Sequence, residues 1–219
     1  AHPGGKSLKE PVENVRVNAF GSMSIFNWCA NSGNDLIYLS SSIIYGDQPK
    51  DLISEVATLK PGTIYGVSKV ACEQWLDILG QGSKLNWTVL RLFPTYGSGH
   101  QSSLDQGIIN IMLTQLLNGD RIVVKGSLKR LRDLVYVEDA AAAIIHALLK
   151  PASRGQIINI GTGVATSIDD MIDELCKALD RPRESIKVIE EDGTVGDPFS
   201  NVSDNSKMLE ILQFKPKFN

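Results

Sequence analysis

Apolar residues fall into short unbroken runs separated by longer stretches in which they recur at helical spacing. The runs Asp35–Ser40 (DLIYLS), Trp87–Phe93 (WTVLRLF), Arg121–Val124 (RIVV) and Gln156–Ile160 (QIINI) have the length and composition of buried strands. Ala19–Asn31, Tyr65–Leu79 and Ile108–Leu117 read as helices. A further helix follows from Glu138, with acids at its start and Lys150 at its end, as the helix dipole prefers. Beyond it come a helix entered at Ser167 with a serine cap, the strand SIKVIE and a terminal helix Ser203–Leu212. Strand and helix alternate throughout, which predicts an α/β protein with a largely parallel sheet. No internal repeat, low-complexity tract or long linker interrupts the pattern.

Composition narrows the partners. With 219 residues, 42% of them hydrophobic, the chain can bury a core as one domain or as two closely packed ones. A formal net charge of -3 gives no electrostatic case for nucleic acid or an anionic membrane. The basic cluster Lys125–Arg132 reads as a solvated face or a phosphate site. No apolar run approaches the roughly 20 residues that span a bilayer, and the opening AHPGGKSLKEP has no apolar signal-peptide core. Cys29, Cys72 and Cys176 are widely spaced among apolar residues and read as small buried hydrophobes in a reducing compartment. His2, His100 and His146 are scattered, which argues against a histidine-based metal site.

The candidate chemistry begins where the run LIYLSSSIIYGD breaks off in Ser40, Ser41 and Ser42. Serines there can shape a turn by bonding the backbone, or aim a hydroxyl at a ligand. Downstream, TIYGVSK places Tyr65 and Lys69 four residues apart, on one face of a helix. Free tyrosine, with a pKa of about 10, is a poor base at neutral pH. A nearby ammonium stabilises the phenolate and lowers that value. A serine hydroxyl can then hold a reacting alcohol in line with the phenol oxygen. INIGTGVATSIDD places Gly161 and Gly163 between strand and helix, the setting of a dinucleotide loop, but Thr166 occupies its third glycine position. A tight turn explains that segment.

Taken in order, these segments resemble the extended short-chain dehydrogenase/reductases, specifically the NAD-dependent nucleotide-sugar epimerase/dehydratase family, of the UDP-glucose 4-epimerase type. Asn18–Ser22 is similar to its N-x-x-G-[ST] helix entry, LIYLSSSIIYGD to its serine strand and YGVSK to Y-x-x-x-K. LRLFPTYGSG is similar to R-x-F-N-x-Y-G-P-G, RDLVYVEDAAAAI to R-D-F-V-Y-V-D-D-V-A, and GDPFSNVSDNSKMLEILQFKP to the closing G-D…D-x-S-K segment. INIGTG is also characteristic of the family, and the resemblance covers essentially the whole chain.

The resemblance implies a Rossmann-type parallel sheet with a small C-terminal α/β substrate-binding part. Residues 1–97 would belong to the NAD-binding domain, with strands returning to it from about 132–160, and 98–219 would mainly bind substrate. It implies Tyr65 as catalytic base and acid, Lys69 as its activator and Ser41 as the active hydroxyl, with Ser42 as the alternative. Asn18, Leu39, Ser40, Tyr65, Lys69, Phe93 and Pro94 would line the cofactor, NAD or alternatively NADP. Ser41, Ser42, Arg132 and Asp197 would bind a nucleotide sugar, Arg132 by its forked donors to the diphosphate, or else in a salt bridge with Asp133 or a neighbour. A cytoplasmic homodimer joined through the Tyr65 helix and the preceding one is implied, with no metal, nucleic-acid or membrane partner.

The departures from the family pattern are as informative. The glycine-rich turn and the first three strands have no counterpart, so the Asp35–Ser40 strand is expected to be an unpaired edge. Three explanations are open: a chain that is one part of a longer sequence, a missing part on another chain, or a natural remnant; the first is preferred. Pro94 replaces the usual asparagine of R-x-F-N, and Thr194 replaces one of two arginines of the diphosphate clamp, for which Lys125, Lys129 or Arg130 could compensate. The family's dehydratases and decarboxylases carry acids after the active hydroxyl, where this chain has Ser42 and Ile43. That favours 4-epimerisation by transient oxidation at C4 of the sugar over dehydration, decarboxylation or reduction. His100 is the nearby acid/base candidate that a reductase-epimerase would need, and otherwise an ordinary loop histidine. A catalytically silent binding or assembly partner is the alternative from a different class.

Overall fold

The computed structural model describes residues 6–48, 52–99 and 107–218; His2 and His100 fall outside them. The chain starts with α1 (Pro11–Val15), which passes through a π-helical turn at Arg16–Phe20 into α2 (Gly21–Ser32). Proline at the start of α1 suits a position whose N–H has no helical acceptor, and Gly33 ends α2 in the left-handed region. β1 (Leu36–Ser41) follows and runs into a 3₁₀ turn at Ser42–Tyr45. Then come α3 (Ile64–Gly82), β2 (Trp87–Leu92), β3 (Thr95–Tyr96), α4 (Ile108–Asn118) and β4 (Arg121–Lys125). β5 (Leu131–Arg132), β6 (Val135–Tyr136), α5 (Val137–Leu149) and β7 (Gln156–Ile160) complete the middle of the chain. β8 (Thr166–Ser167), α6 (Ile168–Ala178), β9 (Lys187–Glu191) and β10 (Ser200–Asn201) lead to a π-helical turn at Met208–Leu212.

The sheets are largely parallel, as the alternation predicts. The main sheet has the order β1-β2-β7, with Leu39 opposite Leu90 and Leu90 opposite Ile158. Every residue of β2 from Trp87 to Arg91 is buried, which is why that strand lacks apolar/polar alternation; its polar Thr88 and Arg91 are buried with hydrogen-bond partners. β4 pairs with β9, β3 with β6 and β10 with β5, all in parallel; β5 and β8 are antiparallel. One apolar core packs α5 and the Met208–Leu212 turn on one face of the main sheet, through Leu90, Ile158, Ala143 and Leu212. Another packs α2 and α3 on the other face, through Phe26, Leu76 and Val89. A third core, around Met112, Ile122, Met171 and Ile172, joins α4 and α6 to β4.

Local expectations needed adjustment at three places. The first helix begins at Pro11 rather than Ala19, the Arg132–Val137 segment divides into parts of β5 and β6, and the terminal helix shrinks to a short turn around Met208–Leu212. One backbone contact ties distant loops: a Cβ on Gly62 would lie 2.6 Å from the Cα of Gly196, and Gly196 has φ +78°.

Candidate functional site

Parallel strands deliver loops to the carboxyl edge of a sheet, and the site is built there. At the end of β1, Ser41 keeps extended backbone angles and caps the 3₁₀ turn, its Oγ accepting from Ile43 N at 3.4 Å. α3 is started by Thr63, whose Oγ1 accepts from Gly66 N at 3.0 Å. That cap sets Tyr65 in the first turn of the helix, with its phenol beside the Ser41 hydroxyl, which favours the phenolate. One turn on, the Lys69 ammonium donates to the Leu39 carbonyl at 2.7 Å. It stands 4.6 Å from the centre of the Tyr38 ring and 5.6 Å from that of Tyr65.

The three serines at the strand end face different ways. Ser41 meets Tyr65. Ser42 is buried and accepts from Asn201 Nδ2 at 2.8 Å. Ser40 is buried and its Oγ has no hydrogen-bond partner. The hydroxyl that shapes the turn is therefore that of Ser41 itself, which also faces Tyr65, while those of Ser40 and Ser42 make no bond to the turn.

Burial governs the charges. It raises the Tyr65 phenol above its ordinary value, against the opposing hydrogen bond from Ser41. It lowers Lys69, against the neighbouring Cys72 and Glu73. The expected depression of the tyrosine by the ammonium is thus not the net result in the chain by itself. The ammonium is shared among the Leu39 carbonyl and two rings, while the phenol loses most of its contact with water.

A cleft of about 380 Å³ opens over these groups, lined by Ser40, Ser41, Ser42, Tyr65, Phe93, Pro94, Arg132, Asp197 and Asn201 among others. Leu39 borders Lys69 through its carbonyl, with its side chain partly exposed. Asn18 is not among the residues lining that cleft; it is buried on the π-helical turn, where its backbone carbonyl accepts from Cys72 Sγ on α3 at 3.3 Å. Arg132 donates from Nη2 to Asp197 at 2.7 Å and from Nη1 to the Leu131 carbonyl at 2.7 Å. Its carboxylate partner is therefore Asp197 and not Asp133. Arg130 pairs with the other oxygen of Asp197, whereas Lys125 and Lys129 are exposed.

Asp133 is buried and turned toward the INIGTG turn, accepting from Thr162 N at 2.7 Å, Gly163 N at 2.9 Å and Ser203 Oγ at 2.5 Å. A Cβ on Gly161 would strike both Ser203 and Asp133. This is the physical reason for glycine in that turn, which serves packing.

Tyr38 and Asn201 were missed as site residues. Asn201 is 4% exposed, lines the cleft and leaves Oδ1 without a partner. Its link to Ser42 spans 159 positions, so no local pattern signals it. Tyr38 does lie on the same face of β1 as Ser40, a placement that strand alternation could have given. Among the described residues, no group of His, Cys, Asp and Glu could hold a metal, and no helix is long and apolar enough to cross a membrane.

Comparison with known proteins bears on the family and the fold. A family model described as the NAD dependent epimerase/dehydratase family matches residues 3–161. The chain is 26% identical over 215 residues to a putative UDP-glucose 4-epimerase of Methanocaldococcus jannaschii, covering 97% of this chain and 68% of that protein. It is 27% identical over 214 residues to UDP-glucuronic acid decarboxylase 3 of Arabidopsis thaliana, covering 94% of this chain and 60% of that one. The crystal structure of a Thermotoga maritima UDP-glucose 4-epimerase with UDP-glucose superposes with a TM-score of 0.92 at 25% identity, over 100% of this chain and 71% of that one. The chain thus spans roughly two thirds of the length of the proteins it matches.

Proposed function

The chain belongs to the NAD dependent epimerase/dehydratase family, and from that premise we propose that it carries the nicotinamide and sugar side of a nucleotide-sugar 4-epimerase. The observation that carries the reading is the pair Ser41 and Tyr65 lining a cleft, with the buried Lys69 ammonium 5.6 Å from the Tyr65 ring behind them, and with Asp197 as the one lining acid among the described residues. Asp197 is already held by Arg130 and Arg132. Among the described residues, no free carboxylate lines the cleft to remove a proton from C5, which favours epimerisation over dehydration.

The residues around the cleft floor suit a nicotinamide nucleotide. The unpaired, buried Ser40 Oγ is a polar atom awaiting a partner; Phe93 and Pro94 line the same cleft, and Lys69 is bonded to the carbonyl of the preceding residue, Leu39. Leu39, Ser40, Tyr65, Lys69, Phe93 and Pro94 would hold the cofactor, and Asn18 would support α3 from behind. Bound NAD supplies a hydride acceptor and, once reduced, a donor.

The chain's own part is proton transfer and positioning. Ser41 Oγ hydrogen-bonds the C4 hydroxyl of the sugar and holds it against Tyr65 Oη. Tyr65 takes the hydroxyl proton as C4 is oxidised and returns it after the keto sugar has turned over. The Lys69 ammonium stabilises the phenolate during that interval. Arg132 and Asp197 flank the path to the nucleotide, with Ser42 and Asn201 closing the sugar end. The reading includes a homodimer through α2 and α3, whose Ile25, Trp28 and Val67 are exposed apolar side chains, with Phe20 exposed at the end of the π-helical turn.

Tyr65→Phe tests the assignment. With NAD and a panel of UDP-hexoses, NMR of the products should show the C4 epimer for the parent chain. The variant should lose about 10²–10⁴-fold in turnover while nucleotide-sugar affinity by calorimetry stays within about twofold. An unchanged rate would reject Tyr65 as the base, and a dehydrated or decarboxylated product would replace the epimerase reading.

A further inference from the structure

Glu73 follows Lys69 by one helical turn on α3, so both side chains share a face of that helix. Both are buried, and a buried carboxylate so close to an ammonium competes for it. The ammonium nevertheless turns to the Leu39 carbonyl and to the Tyr38 and Tyr65 rings. The reason lies on β2. Arg91, 3% exposed, grips Glu73 with Nε at 3.2 and 3.3 Å from its two carboxylate oxygens and Nη2 at 2.7 Å from one of them. The remaining donor of Arg91 is committed as well, reaching the Tyr45 hydroxyl at 2.8 Å and the Glu55 carbonyl at 2.9 Å. Tyr45 in turn donates to Asn159 Oδ1 at 2.6 Å. The guanidinium is therefore locked from three sides.

We propose that Arg91 is a positioning residue for the Lys69 ammonium: by occupying both oxygens of Glu73, it prevents that carboxylate from drawing Lys69 away from Tyr65. Arg91 does not line the cleft, and its influence passes through two buried side chains. The charged and titratable groups facing Lys69 are Tyr38 from β1 and Tyr65, Cys72 and Glu73 from α3, with Arg91 from β2 behind Glu73. The π-helical turn contributes the uncharged Asn18 carbonyl to Cys72. The catalytic significance rests on the proposed role of Tyr65, but the arrangement is measurable without substrate or cofactor. Failure of the one therefore remains distinct from failure of the other.

The test is a titration of Tyr65 by ¹³C NMR in tyrosine-labelled chain, with the resonance assigned by its loss in Tyr65→Phe. Arg91→Met frees Glu73 to capture Lys69, so the Tyr65 midpoint should rise by about 1 pH unit. In a Lys69→Met background the Arg91 change should produce no further shift, because the residue through which it acts is gone. Removing both charges in Glu73→Met/Arg91→Met leaves Lys69 without a competitor and should return the midpoint to the parent value. Arg91→Lys keeps the charge but replaces the fork with a point donor, which serves if Arg91→Met does not fold. It should give a smaller rise that Lys69→Met again removes. An Arg91 shift that persists without Lys69 would show a direct field effect and overturn the proposal, as would an Arg91→Lys midpoint equal to that of the parent.

Discussion

Tyr38 shows how burial decides charge at the level of one residue. Its ring packs edge-on against Phe26 and under the Lys69 ammonium, and its hydroxyl is buried with no hydrogen bond of ordinary geometry. Desolvation pushes its ionisation well upward, with smaller contributions from Cys72, Tyr65 and Glu73, and Tyr45 is likewise raised to about 12. The unfolded chain releases a tyrosine proton near pH 10, while the folded chain keeps it. Stability is therefore lost as pH rises above about 10, by about 1.4 kcal/mol per pH unit for each such tyrosine. Lys69, lowered by burial, acts with the opposite sign just below its ordinary value. Urea titrations between about pH 9 and 11 should show a shallower alkaline loss for Tyr38→Phe than for the parent. Equal slopes would place the Tyr38 hydroxyl in contact with water. At this scale Ser41, Tyr65 and Lys69 were legible because they form a short ordered pattern. Asn201 was not, because its partner Ser42 is distant in sequence and only the fold supplies it; Arg130 was legible as one of three candidate bases, and its pairing with Asp197 came from the fold.

Elements differ in how much of their stability is local. α6 is entered through a reciprocal cap, with Ser167 Oγ accepting from Asp170 N at 3.0 Å and Asp170 Oδ2 accepting from Ser167 N at 3.1 Å. Ser167→Ala should cost about 1 kcal/mol, measured as a shift in urea midpoint with the far-UV signal retained. The serine, the helix and its apolar face over Ile168, Met171 and Ile172 were readable together because cap and periodicity are local signals. The start of the first helix was not, since its Val12 and Val15 face solvent while the buried positions of PVENVRVN are the polar Asn14 and Asn18. It is held by α3, through Ser68 reaching Asn14 at 3.5 Å and Cys72 reaching the Asn18 carbonyl. Gly161→Ala should be far more damaging than Ser167→Ala, because the new methyl group would enter the Asp133–Ser203 contact. A variant with unchanged thermal midpoint would show that the turn can yield.

For the molecule as a whole, the alternation of strand and helix was enough to foresee the parallel sheet, whereas the docking of loops across its edge needed coordinates. The exposed Ile25 and Trp28 of α2 and Val67 of α3, with Phe20 at the end of the π-helical turn, bear on assembly. Sedimentation should give twice the chain mass for the parent and a single chain for Trp28→Glu; a parent that stays monomeric at all concentrations would remove the homodimer from the proposed function. The contact between Gly62 and Gly196 has a consequence for inheritance. It joins the turn that launches Tyr65 to the loop that carries Asp197 through bare backbone, and a side chain at either position meets the other strand of chain. No neighbouring side chain can be trimmed to make room, so the two glycines constrain each other directly. Chimeras that exchange the segment around Gly62 with a relative are expected to fold when the incoming segment also brings glycine there. Those that bring any Cβ should fail, however well the rest of the segment is matched.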